Sequence, residues 1–171
     1  MSDEVGADPQ AGDEVDALVA AWRRERPDLI STPMHVWSRI HRLAHYLDAA
    51  RRRAYAAHNL ETWEFDVLAA LRRAGAPYRG TPGQLLRETH VTSGTMTNRV
   101  DRLVVRGLVT RDQAPDDRRV VLVQLTDEGK DTVDAAMGDL LAAERELLDG
   151  LDADRVDRLA RDLRALLSRV S

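Results

Sequence analysis

Within seven residues the chain sets out Ser93, Thr95, Thr97, Asn98 and Arg99, and Arg102 follows three residues on. Small hydroxyls, an amide and guanidiniums are the groups that reach base edges and phosphate oxygens without bulk. Farther along, Asp117-Arg118-Arg119 places two guanidiniums shortly after the rigid Pro115. Arginine suits a narrow, electronegative minor groove, and Asp117 is placed to hold Arg119 outstretched through a charge-assisted hydrogen bond. The chemistry these residues support is contact with duplex nucleic acid.

Other chemistries find less support. The 171 residues include no cysteine, which excludes a disulfide framework, a thiolate zinc site and a thiol nucleophile. His41 and His45 are four apart and share a helix face, but no Glu follows His41 as in H-E-x-x-H, so they read as an interfacial or solvated pair. Neither G-x-G-x-x-G nor a P-loop is present, so nothing cradles a nucleotide phosphate. The expectation is a protein that is not an enzyme and carries no cofactor and no metal. A run of about 18 apolar residues is also missing, as are the basic and apolar regions of a secretory signal. The cytoplasm is therefore the expected compartment, with no membrane partner.

The net charge of −4 looks wrong for a protein that binds polyanions, but its distribution corrects the impression. Residues 1–16 hold six acids and no base, and residues 126–171 hold twelve acids and seven bases, so the middle, 17–125, carries a surplus of seven positive charges. An electropositive centre lies between two acidic ends.

The elements that would position these groups are mostly helical. Residues 1–12 read as a disordered acidic tail. A helix over Glu14–Arg26 carries Val15, Leu18, Val19 and Trp22, and Pro27 ends it. Thr32-Pro33 opens a helix to about His58, and a third runs from Glu61 to Ala74, closed by Gly75. Thr81-Pro82-Gly83-Gln84 combines capping-box spacing with a first-position proline and starts a short helix to about Thr89. Thr92 begins the helix that bears Ser93 to Arg102, anchored by Met96, Val100, Leu103 and Val104. Beyond Gly107 the period turns strand-like: Leu108–Arg111, a polar turn, then Val120–Leu125, a two-stranded hairpin. Thr126 and Asp152 cap two closing helices. This order predicts a mostly α, winged helix-turn-helix chain, and a surplus of apolar positions in the last two helices (Met137, Leu140, Leu141, Leu147, Leu148, Val156, Leu159, Leu163, Leu166, Leu167) predicts a helical dimerisation region. The competing reading is a helical protein-interaction module whose hairpin is a partner-binding edge.

Asn98-Arg99-Val100-Asp101-Arg102-Leu103, Arg106-Gly107-Leu108-Val109, Asp117-Arg118-Arg119 and Leu122–Gly129 resemble the MarR family of transcriptional regulators, over roughly residues 30 to 170. The resemblance implies a single domain over 13–171, with a winged helix-turn-helix core at 60–125. The helices at 13–58 and 126–171 would form the dimer interface and the wall of a ligand pocket. It implies a homodimer on a palindromic double-stranded DNA operator, acting as a repressor.

Trp22, Arg26–Leu29, Pro33-Met34, Arg39–Leu43, Glu64–Leu68 and Ser93–Arg99 resemble, more narrowly, the urate-responsive subgroup. Its ligand-sensing residues map onto Trp22, Asp66, Arg99 and Arg111, and the effector implied is a small anion, urate or a citrate- or aconitate-like tricarboxylate. Asp66 falls among core residues, where a carboxylate costs several kcal/mol unless paired, and Arg99 is its expected partner. Trp22 offers a flat face and an indole N–H, and Arg111 a fork for an anion.

Overall fold

A computed structural model of the chain describes residues 12–89, 91–117 and 119–170, so the acidic stretch up to residue 11 and Arg118 lie outside the described residues. Two compact units divide at Asp48 and Ala49, inside a helix.

The first unit contains helix α1 (Glu14–Glu25) and the leading half of α2 (Met34–Ala56). Asp13 caps α1 by accepting from the Val15 and Asp16 amides at 2.9 and 3.0 Å, while Asp16 returns an acceptor to the Asp13 amide at 3.0 Å. This reciprocal box satisfies amides that a helix start otherwise leaves unbonded. The Arg39 guanidinium on α2 reaches Asp13 at 2.8 Å and Asp16 at 2.9 Å, tying the two helices together. Val15 and Val19 are the buried residues of α1.

The second unit holds the rest of α2, then α3 (Thr62–Arg73), strand β1 (Arg79–Gly80), α4 (Pro82–Thr89), α5 (Ser93–Val105), strands β2 (Val109–Gln113) and β3 (Val121–Leu125), α6 (Asp127–Glu146) and α7 (Ala153–Leu167). Its core is built from Tyr55, Phe65, Leu68, Leu71, Leu85, Met96, Val100, Leu103, Leu108, Val123 and Val133, with the Tyr55 and Phe65 rings stacked at 4.0 Å. On α5 the buried residues Met96, Val100 and Leu103 recur every three or four positions, so one stripe anchors the helix and the rest faces out.

The two-stranded hairpin expected from the sequence is present as β2 and β3, and the sheet holds one strand more. β1 joins it, giving an antiparallel sheet in the order β1-β3-β2 with Gly80 opposite Val123 and Arg111 opposite Val123 on the other side. Two residues are too few to show a period of two, which is why the strand is silent in the sequence.

The wing is fixed to the helices at one crossing. Gly107 adopts φ +72° to end the turn after α5, and Thr126 donates its hydroxyl to the Gly107 carbonyl at 2.7 Å while capping the Gly129 amide at 2.9 Å. A Cβ on Gly129 would stand 1.9 Å from the Leu108 carbonyl oxygen, so only glycine lets α6 start there.

Of the apolar residues in the closing helices, Leu140 is buried, whereas Met137, Leu141, Leu147, Leu148, Leu159 and Leu163 stay exposed, and α7 buries no residue. No described helix is long and apolar enough to cross a membrane.

Candidate nucleic-acid interface

Thr92 caps α5, its hydroxyl within 3.4 Å of the Thr95 amide, so the helix begins on small polar side chains. Ser93, Thr95, Thr97 and Asn98 are exposed, in the order that the sequence predicts for the leading turns. Thr97 returns its hydroxyl hydrogen to the Ser93 carbonyl at 3.2 Å, and Thr95 shares a 2.9 Å hydroxyl contact with Thr92. The Asn98 side chain makes no hydrogen bond among the described residues, which leaves its amide open to donate to and accept from a base edge.

The arginines of α5 behave differently from one another. Arg99 lies over the Trp63 indole, 5.4 Å from the ring centroid, and Arg102 lies 4.7 Å from the same ring. Arg102 also donates to the Glu61 carboxylate at 2.8 Å, and the Trp63 Nε1–H donates to the other Glu61 oxygen at 2.7 Å. Near the helix end, Arg106 donates at 2.6 Å to Glu64, whose side chain is 3% exposed. One flank of α5 therefore rests on the first turn of α3. Its most open face runs through Gly94, Thr97, Asn98, Asp101 and Val105.

Sequence reasoning did not single out Glu61, Trp63 or Glu64. Their signal was available in part: Glu64, Leu68 and Leu71 are spaced four and three apart on one face of α3, and all are buried.

That same helical phase corrects the reading of Asp66, which is exposed; the buried carboxylate of α3 is Glu64. Among the described residues Asp66 forms neither a hydrogen bond nor an ion pair with Arg99, whose guanidinium sits on Trp63 instead. Asp66 stands at the rim of the core. Nearby protein mass desolvates it and raises its carboxyl pKa, an effect opposed by the positive charges of Arg99, Arg51 and Arg73.

Arg111, on β2, is not an open fork. It donates at 2.8 Å to Asp101 on the outward face of α5, joining wing and helix. Trp22 is exposed on α1, in the other unit.

At the hairpin tip the Asp117 carboxylate accepts from the Arg119 backbone amide at 2.9 Å. The expected bond to the Arg119 guanidinium is not among the described contacts: the carboxylate is drawn into its own turn, as Asp side chains commonly are two residues ahead of an amide. The Arg119 side chain is exposed. No group of three or more His, Asp or Glu among the described residues could hold a metal ion.

Comparison with known proteins agrees with this geometry. A model of the MarR family matches residues 58–120. The HTH-type transcriptional regulator PecS of Dickeya dadantii is 38% identical over 157 residues, covering 92% of either chain. The HTH-type transcriptional repressor NicR of Pseudomonas putida is 33% identical over 116 residues, 55% of this chain and 72% of that one. Among solved structures, a mutant MarR from E. coli complexed with operator DNA superposes with a TM-score of 0.64 at 27% identity, over 85% of this chain and 97% of that one.

Proposed function

Since the chain belongs to the MarR family of transcriptional regulators, we propose that it is a homodimeric repressor that binds a palindromic operator and is released by a small organic anion. The observation that carries the DNA-reading role is α5 itself. Its inner stripe is locked in the core, three arginines on one flank are held by α3, and the open face presents Thr97 and Asn98 beside a wing that carries Arg119. Ser93, Thr95, Thr97, Asn98 and Arg99 read the major groove in this scheme, and Asp117, Arg118 and Arg119 bring the wing to the minor groove or backbone. Arg102 contributes positive charge from the flank.

Dimerisation is supported by the uncovered leucines and Met137 of α6 and α7, which a second copy would remove from water at about 25 cal/mol per Å². A dimer that holds its recognition helices about 34 Å apart reads half-sites about 10 base pairs apart.

Trp22, Asp66, Arg99 and Arg111 are the proposed ligand residues, with urate or a citrate- or aconitate-like tricarboxylate as effector; Trp22 enters on family resemblance alone. An anion near Asp66 meets a carboxylate already reluctant to ionise. An anion that takes the Arg111 guanidinium leaves Asp101 unneutralised on the outward face of α5, where phosphate repels it.

The test begins with selection of binding sites from random duplex DNA by the purified full chain. Sedimentation then gives its oligomeric state, and thermal-shift screening of urate, citrate and aconitate finds the effector. A dimer on a palindrome, weakened steeply by salt, is expected. A monomer, or no selected sequence, sinks the reading. In Asp66→Asn, operator binding should persist while release by the effector is lost.

A further inference from the structure

We infer that Trp63 is a positioning residue for DNA recognition, its indole fixing Arg99 and Arg102 and through them the rotation of α5 about its own axis. The inference rests on the reading of α5 as the DNA-reading helix and adds a residue that this reading does not need.

Trp63 sits on the first turn of α3, partly buried against the core, so its ring is a rigid part of the scaffold. The Glu61 carboxylate sets the ring's orientation by accepting the indole N–H at 2.7 Å, and with its other oxygen accepts Arg102 at 2.8 Å. Arg99 and Arg102 are three apart on α5 and therefore neighbours on one flank. Two guanidiniums so placed repel one another. The electron-rich ring at 4.7 and 5.4 Å and the Glu61 charge offset that repulsion, and indole binds cations best among the aromatic side chains.

The consequence is geometric. Residues of a helix are 100° apart, so a flank gripped at Arg99 and Arg102 fixes where Asn98, the residue just ahead of Arg99, points. Plain apolar packing by a residue of similar size would fill the same space without fixing either guanidinium. Base preference therefore separates the two roles: it is a ratio measured within folded molecules, which a simple loss of stability does not move.

The experiment measures base preference at each operator position and overall affinity, for the wild-type chain, Trp63→Phe and Trp63→Leu, on sequences selected by the wild type. Circular dichroism confirms folding. Trp63→Phe keeps a ring face and should retain most of the preference. Trp63→Leu should bind the selected operator about three- to tenfold more weakly and discriminate less among bases under α5. Wild-type affinity and preference in folded Trp63→Leu would overturn the inference while leaving the DNA-reading role intact. Failure of the wild type to select any DNA overturns both. If Trp63→Leu does not fold, Glu61→Ala, at an exposed position, removes the group that orients the ring and holds Arg102. It should also flatten the preference, and an unchanged profile in that variant would overturn the inference.

Discussion

Glu64 Oε2 accepts from Arg106 Nη1 at 2.6 Å and from the Glu61 amide at 2.9 Å, joining the start of α3 to the end of α5 through a carboxylate almost sealed from water. Removing one partner of such a pair leaves the other charge stranded, which is worse than never having had the pair. Arg106 keeps a third of its side chain in solvent, so the loss is smaller than for a fully buried pair. Arg106→Ala is expected to lower stability by about 2 kcal/mol in urea unfolding at fixed protein concentration. A change under about 0.5 kcal/mol, the size of an ordinary surface substitution, would contradict this account.

Asp101 and Arg111 form a second link, this time between α5 and the wing. Arg111→Ala leaves a bare carboxylate on the open face of α5, so operator affinity should fall. Asp101→Asn added to it should restore part of the loss, because the repelled charge is gone. A double-mutant cycle on operator affinity reads the coupling directly. Strictly additive effects would mean that the pair has no role in holding the two elements for DNA.

Two carboxyls are shifted in opposite directions from their ordinary value. Arg39 hydrogen bonds hold Asp13 at about 2, below its ordinary 3.8, so its contribution is present above that ordinary value and lost as pH falls from about 4 toward 2. Asp66 is raised by desolvation, so its folded form keeps a proton that the unfolded chain has released, and stability declines as pH rises through that interval. Asp66→Asn should therefore be more stable than the wild type at pH 7 and match it at a pH below the ordinary carboxyl value. Carboxyl-detected NMR titration checks both groups, and an Asp66 midpoint at or below 3.8 would refute the second assignment.

How much of this was legible in the chain depends on whether the signal was local. The caps at Thr81, Thr92, Thr126 and Asp152, and the turn glycines Gly75 and Gly107, are written in adjacent residues and stand where the sequence places them. The buried stripe of α5 follows from its own period. Contacts between elements are different. Nothing in the spacing of α5 says that Arg99 and Arg102 meet Trp63, or that Arg111 spends its charge on Asp101. Asp66 was misread because its neighbours in sequence are apolar, whereas helical phase, not adjacency, decides which carboxylate goes inside.

Gly129 marks the crossing of α6 over the start of β2, where an added methyl would meet the Leu108 carbonyl at 1.9 Å. Backbone on one side and a helix on the other leave no flexible group to yield. Gly129→Ala gains helix propensity of about 1 kcal/mol and loses more through the clash, for a net destabilisation of about 1–3 kcal/mol. Thermal unfolding checks the sign, and a stabilised variant would show that the crossing can open.

Asn98 and Arg119 divide the proposed contacts into reading and holding. Asn98 is a free amide on the open face of α5, and bidentate amides discriminate adenine by about 1–3 kcal/mol. Arg119 is a bare guanidinium at a hairpin tip, suited to phosphate or the groove floor. Asn98→Ala should therefore change the base preferred at one position of each half-site with a modest loss of affinity. Arg119→Ala should weaken all sequences alike and reduce the dependence of log K on log salt by about one counterion. Identical specificity profiles for the two variants would mean that α5 does not read bases, and that whatever sequence preference the protein has comes from the shape of the duplex.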